Sequence, residues 1–242
     1  MIRFDGVVKK FNSKAVLAGV SFEIRQGEIF AIVGPSGTGK SVTLKHMVRL
    51  LTPTSGSVWL GSEEVSAASG RRLAKIRERF GYLFQGGAFL GSLTVGENIQ
   101  LPLRERRNLS EFEIERRTHE ALEAVDLAGA EDKMPAELSG GMLKRAGLAR
   151  ALVRNADIML YDEPTSALDP VTARQVNRLI TRTNTERKIT SVVVTHDLAA
   201  ALGYAHRILM LKGGKVLECC SPDKFVKSPV AEVKEFLEAS GL

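Results

Sequence analysis

The sequence predicts an α/β fold, a core of mainly parallel strands interrupted by a helical lobe. Three observations carry this. Ile29–Val33, Ile158–Tyr161 and Ser191–Val194 are short, wholly apolar runs, the pattern of strands buried on both faces of a parallel sheet. The first runs into a glycine-rich turn, Gly34-Pro35-Ser36-Gly37-Thr38-Gly39, and then a helical stretch from Lys40 to about Leu51. The segment from about Gly86 to Val153 changes character and reads as mostly helical.

The remaining elements follow in order. Val7-Val8 and Val20–Ile24 alternate or cluster as strands, with Gln26-Gly27-Glu28 turning the chain into the first apolar run. Thr52-Pro53-Thr54-Ser55-Gly56 breaks the helix after that run, and Val58–Gly61 returns as strand. In the lobe, Ser110 followed by Glu113 predicts a capping box, and Ile114, Thr118, Ala121, Leu122 and Val125 share one helical face. A helix from about Pro170 separates the last two apolar strands. Ile208–Leu211, Gly213-Gly214 and Lys215–Leu217 predict a hairpin, and Ala231–Ala239 a short amphipathic helix. No internal repeat or low-complexity linker interrupts this order.

Composition narrows the class. The 242 residues allow one α/β domain with an inserted lobe, and 44% hydrophobic with 26% charged residues exclude a disordered or fibrous chain. No run approaches the ~18 apolar residues of a membrane-spanning helix. The opening at Met1 lacks a basic and then apolar leader, which predicts no secretory signal. The only cysteines are the neighbours Cys219 and Cys220, which suits a reducing cytoplasm. The net charge is +6, with basic groups at Arg71, Arg72, Lys75, Arg77 and Arg79 and at Arg104, Arg106, Arg107, Arg116 and Arg117. These fit a solvated helix face, or a surface turned to anionic lipid or an acidic partner.

The chemistry lies in three motifs. Gly34-x-x-x-x-Gly39-Lys40-Ser41 fits the phosphate-binding P-loop, placed between a buried strand and a helix as the motif requires. Glycines let the backbone wrap an anion and the helix start adds a favourable dipole. Lys40 puts a point charge on the β- and γ-phosphates of a nucleotide, and the Ser41 hydroxyl suits Mg²⁺. Asp162-Glu163 ends an apolar strand, at the edge where ligands of open α/β sheets gather. Asp162 there would bind Mg²⁺ through a water, and Glu163 would polarise an attacking water. Leu138-Ser139-Gly140-Gly141-Met142 precedes a helix, with Ser139 a good N-cap and two glycines leaving amides open to an anion.

In their order these motifs resemble the nucleotide-binding subunits of ABC transporters across nearly the whole chain. The likeness adds Gln85 after Tyr82-Leu83-Phe84, Ser166-Ala167-Leu168-Asp169, and His196 after a strand. It implies a P-loop NTPase fold of ABC type, with an antiparallel β subdomain beside the core sheet. It divides a single domain into a nucleotide-binding core (1–85 and 154–218), a helical lobe (86–153) and a C-terminal helical tail (219–242). It implies ATP and Mg²⁺ as cofactors. Gly34, Pro35, Ser36, Gly37, Thr38, Gly39, Lys40, Ser41 and Thr43 would hold nucleotide, with Ser139, Gly140 and Gly141 acting across a dimer. Ser41, Gln85 and Asp162 would hold the metal. Glu163, His196 and Lys40 would be catalytic, His196 contacting the γ-phosphate, and Asp169 would lie in the loop that crosses the dimer. Phe11 matches the aromatic that stacks on adenine, where Tyr is commoner; a core role is the other reading of that ring.

Within the family the chain looks most like the ATPase of Mla-type transporters, which work with MCE proteins and move phospholipids. Leu83–Phe89, Leu101-Pro102-Leu103-Arg104-Glu105 and Gly140-Gly141-Met142 followed by Lys144-Arg145 carry that likeness. The sequence Asp162 to Pro170 is instead the general ABC form. The implied partners are a second copy of the chain, an integral-membrane permease and an MCE-domain protein, with no nucleic acid. The implied location is the cytoplasmic face of the inner membrane, peripherally. A permease socket is expected near Gln85, among Phe84, Ala88, Phe89 and Leu90, unless these are core. Rival readings are the ATPase of a small-solute importer and a soluble ABC protein acting on ribosomes or DNA. A P-loop kinase or GTPase would have no use for the Leu138–Met142 signature.

Overall fold

The structure, a computed structural model, describes residues 1–105 and 109–242; the basic residues Arg106 and Arg107 lie outside the described residues. The chain opens with β1 (Ile2–Phe11), β2 (Lys14–Ile24) and β3 (Ile29–Val33), followed by α1 (Lys40–Met47), β4 (Ser55–Leu60) and β5 (Glu63–Glu64). Next come α2 (Gly70–Glu78), β6 (Phe80–Leu83), α3 (Val95–Arg104), α4 (Glu111–Glu123) and α5 (Gly140–Leu152). The core resumes with β7 (Ile158–Asp162), α6 (Pro170–Arg187), β8 (Thr190–Val194), α7 (Leu198–Tyr204), β9 (Arg207–Lys212) and β10 (Lys215–Cys220). Two short helices close the chain, α8 (Pro222–Val226) and α9 (Ala231–Ala239).

The strands form two sheets. A six-stranded sheet runs β10-β9-β3-β8-β7-β6 and is parallel except for β10. A four-stranded antiparallel sheet runs β2-β1-β4-β5. Phe4, Phe22 and Phe30 stack between them at centroid distances of 4.5 and 5.7 Å, and the first core cluster fills this space. A second cluster lies between the core sheet, the lobe helices and α6, and a third under α7 and α9.

The structure differs from the sequence expectations in local chemistry. α1 stops at Met47 rather than near Leu51, because Arg49 turns left-handed (φ 51°) and the amides of Leu50 and Leu51 fold back onto the Lys45 carbonyl. At Ser110 the hydroxyl accepts from the Glu113 amide, but the Glu113 carboxylate pairs with Arg116 and Arg117 instead of closing the box. The reciprocal box is at α3, where Thr94 Oγ1 accepts from the Glu97 amide and Glu97 accepts from the Thr94 amide at 2.7 Å. β10 continues to Cys220, paired with Ile208, so the strand reaches into the segment expected to be helical tail. Several of the described basic groups are paired within the chain. Arg104 pairs with Glu111, Arg79 with Asp157, and Arg77 caps the carbonyls of Val48 and Arg49.

Asn98 ties the lobe together internally, and a close backbone approach fits α5 to the core. Asn98 is fully buried; its side-chain oxygen accepts from the Leu90 amide, and its nitrogen donates to the carbonyls of Leu90, Leu93 and Thr94. α5 lies so close to β6 that a Cβ on Gly81 would come within 2.3 Å of Met159 Sδ and 2.5 Å of the Ala151 carbonyl oxygen. Backbone cannot retreat as a side chain can, so Gly81→Ala is expected to lower unfolding stability by about 2–3 kcal/mol in urea titrations. A loss under about 0.5 kcal/mol would mean that α5 shifts freely on the sheet.

Candidate functional site

The site is built on the carboxyl ends of β3, β7 and β8. All five residues of β3 are buried, and the chain leaves the strand at Gly34 with φ 140°. A Cβ there would fall 2.1 Å from the Leu211 carbonyl oxygen. Gly39 takes φ 98°, and a Cβ on it would meet Leu17 Cδ2 at 2.7 Å. Only glycine fits either place. Gly39 also precedes α1 with no side-chain cap, leaving the first amides of that helix for an anion. The Lys40 ammonium donates to the carbonyls of Gly34 and Pro35 at 2.7 and 3.1 Å, and Thr38 donates to Pro35 at 2.8 Å. Burial pulls the Lys40 pKa down, while the Glu163 and Asp162 carboxylates pull it back up.

β7 delivers the two carboxylates, which are only 4% and 9% exposed. Ser41 donates to Asp162 Oδ1 at 2.6 Å, and the Tyr82 hydroxyl donates to Asp162 Oδ2 at 3.3 Å. Burial, and then the Asp162 charge, push the Tyr82 phenol up, so it stays a donor. Glu163 is left-handed at φ 52°, pinned by its amide to the Val194 carbonyl of β8 at 2.9 Å. Its carbonyl accepts from Ser166 Oγ at 3.0 Å. Its carboxylate Oε2 lies 2.7 Å from His196 Nδ1, and the His196 ring is exposed.

A cleft of about 230 Å³ is lined by Ser36, Gly37, Gly39, Lys40, Ser41, Gln85 and Glu163; Asp162 and His196 are not in its lining and connect to it through Ser41 and Glu163. Val16 and Val42 supply apolar wall, and neither was singled out in the sequence. Thr43, expected at the nucleotide, is instead fully buried, its hydroxyl donating to the Gly39 carbonyl at 3.0 Å. The helix face that meets the cleft carries Val42. Phe11 lies at the end of β1, 44% exposed, with Lys9 Nζ 5.1 Å from its ring centroid. Ser139, Gly140 and Gly141 are not among the residues lining the cleft. Ser139 caps α5 by accepting from the Met142 amide, and Gly141 passes Thr172 so closely that a Cβ would sit 2.4 Å from its methyl. Asp169 caps α6, accepting from the amides of Val171 and Thr172. Hydrogen bonds from Thr172 hold its carboxyl below the ordinary range.

The oxygen donors of Ser41, Asp162 and Gln85 fit a hard cation. Among the described residues there is no group of three or more His, Cys, Asp or Glu that could cage a metal. A cation here would need oxygens from its ligand, the habit of Mg²⁺ with phosphates.

Known proteins resemble this chain in sequence and in fold. The sequence pattern of the family described as ABC transporter matches residues 17–166. A probable ribonucleotide transport ATP-binding protein, mkl, of Mycobacterium leprae is 44% identical over 200 residues, covering 83% of this chain and 58% of that protein. The chain thus spans little more than half of that relative. A methionine import ATP-binding protein, MetN 1, of Bacillus cereus is 36% identical, covering 99% of this chain and 70% of its own. The dimeric ATP-binding cassette MJ0796, solved in a post-hydrolysis state with ADP and Pi, superposes with a TM-score of 0.85 at 35% identity, over 92% of this chain and 99% of that one. The match of residues 17–166 takes in the loop, the carboxylates and the start of α5, leaving out Phe11, Val16, Asp169 and His196, and on that evidence the chain belongs to the ABC transporter family.

Proposed function

We propose that this chain is the ATP-hydrolysing subunit of a membrane ABC transporter, acting as a homodimer. The observation that carries this is one cleft lined by Lys40, by Ser41, which is bonded to Asp162, and by Glu163, whose carboxylate lies 2.7 Å from His196. Lys40 reaches from the loop carbonyls to the β- and γ-phosphates. Ser41, Gln85 and Asp162 would hold Mg²⁺, which when bound would supply neutralisation of the charge on the phosphates. Glu163 takes a proton as a water oxygen bonds to the γ-phosphorus and the bridging bond to ADP breaks. His196 orients the carboxylate and contacts the leaving γ-phosphate. Phe11 stacks on adenine. The helix start at Ser139–Gly141 stands apart from the subunit's own cleft, which suits a role on a partner's γ-phosphate. The dimeric form of the similar cassette supports that reading.

Lys40→Ala is expected to weaken binding of a fluorescent ATP analogue at least about 10-fold, and Phe11→Ala by roughly 5- to 30-fold, the weight of one stacked base. Unchanged affinity in Phe11→Ala would return that ring to a packing role. Glu163→Gln keeps the shape of the side chain but loses the base. Turnover is expected to fall about 10³-fold with ATP affinity within about threefold, and ATP should hold the protein as a dimer in gel filtration. Near-normal turnover would move the base to another group.

For the partner and cargo, we infer an integral-membrane permease, an MCE-domain protein and phospholipid. No helix among the described residues is long and apolar enough to cross a membrane; on this reading the chain docks peripherally on the permease at the cytoplasmic face of the inner membrane. A groove of about 390 Å³, lined by Phe84, Ala88, Leu101, Pro102 and Arg150, suits a permease helix. The groove includes Leu101-Pro102, part of the sequence on which the lipid reading rests. Phe89 is not part of this lining: it packs into the second core cluster under the Arg150 guanidinium, 4.9 Å from its centroid. The likeness to a methionine import protein favours a second reading, a small-solute importer. Purification from membranes in mild detergent separates the two. A permease with an MCE-domain protein and bound phospholipid is the expected company. A periplasmic solute-binding protein with no lipid stimulation of ATPase activity would establish the importer.

A further inference from the structure

Lys144, on the second turn of α5, is 9% exposed, although lysine is almost never buried without a partner. Its ammonium enters none of the ion pairs among the described residues. It donates instead to the Gln85 carbonyl, to the Glu163 carbonyl at 3.3 Å and to Ser166 Oγ at 3.4 Å. Its acceptors belong to the loop beside the permease groove and the turn that carries the hydrolytic carboxylate. Burial lowers its pKa, opposed by the charges of Asp162 and then Glu163.

The rest of α5 grips the same loop. Arg150 donates to the carbonyls of Gly87 and Ala88 at 2.5 and 2.7 Å. Between them Gly147 brings the helix backbone against the loop, where a Cβ would lie 2.8 Å from Leu83 Cδ1 and 3.7 Å from Gly87 Cα. Arg150 thus holds the loop alone, whereas Lys144 holds the loop and the Glu163 turn together. Glu163 is in a left-handed conformation, disfavoured for any residue but glycine, so its peptide plane depends on what its carbonyl touches.

We propose that Lys144 is a positioning residue for Glu163, tying the helix that begins at Ser139 both to the Gln85 loop and to the turn that aims the carboxylate. The inference rests on the reading of the chain as an ATPase with Glu163 as base. A shift of the lobe on its permease then alters the aim of Glu163 within the same subunit. No nucleotide contact is needed from Lys144.

Lys144→Met keeps length and removes the donors. In the full chain kcat is expected to fall about 30- to 100-fold with the KM for ATP within about threefold, the signature of a misaimed group. In the Glu163→Gln background, single-turnover hydrolysis should drop no more than about threefold further, because the group being aimed is already gone. Lys144→Arg, which retains donors, should recover at least about a third of wild-type kcat. A Lys144→Met kcat within threefold of wild type overturns the proposal. So does an undiminished loss in the Glu163→Gln background, which marks a role independent of that carboxylate. If Lys144→Met does not fold by circular dichroism, Lys144→Gln is measured against the same thresholds. Absence of ATPase activity in the wild-type chain sinks the ATPase reading and this inference with it; wild-type activity with an indifferent Lys144 sinks this inference alone.

Discussion

Everything at the site depends on the parallel pairing of β3, β8 and β7. Every residue of these strands is buried, so none of them can display a reactive side chain along its length except where it ends. Polar chemistry is confined to the edge, where the strands hand over to Gly34, Glu163 and His196. Backbone bonds between neighbouring ends set the spacing: the Glu163 amide reaches the Val194 carbonyl, and the Thr195 amide reaches that of Ile32. A one-residue slip in either register would send a carboxylate into the core. Hydrophobic burial thereby fixes an electrostatic geometry.

Some of the chain's left-handed residues lie close to where that geometry is used. Ala88, Glu163 and Ala167 all take left-handed backbone angles although none is glycine. Each such residue costs about 1–2 kcal/mol, so each needs bonds that hold it. Arg150 holds the Ala88 carbonyl, while the Val194 carbonyl and the hydroxyl of Ser166 hold Glu163. The partners are donors from the lobe and from the turn after β7 and an acceptor from β8, so these segments are held from both halves of the molecule at once.

How much of this could be read in advance depended on how local the signal was. The apolar strands, the Gly34–Ser41 loop, Asp162-Glu163 and the Ser139 cap are written in consecutive residues, and the structure brings the loop and the carboxylates together. α2 escaped notice because it buries only Leu73 and Ile76 within a strongly basic stretch. β6 escaped because it contains Gly81, a weak strand former that the approach of α5 requires. Thr43 was expected at the cleft and Val42 was not, since spacing along α1 does not reveal which face the loop meets. Val16 could be found only through the pairing that carries β2 past Gly39. Thr94 and Ser110 have the same capping pattern, and the arginines one turn on from Glu113 decided between them.

Asn98 shows how narrow a chemical choice the lobe allows. Asn98 is itself fully buried, and its amide meets one backbone donor and three carbonyls. Aspartate has the same shape but would turn an anionic oxygen toward those carbonyls, and leucine would leave the Leu90 amide and its neighbours unanswered. Slow loss of ammonia, the ordinary ageing of asparagine in exposed loops, would convert this clamp into a repulsion beside the Gln85 loop. The burial that makes the amide indispensable also shields it from the water that such ageing consumes, and so bears on the working lifetime of the protein as well as its shape.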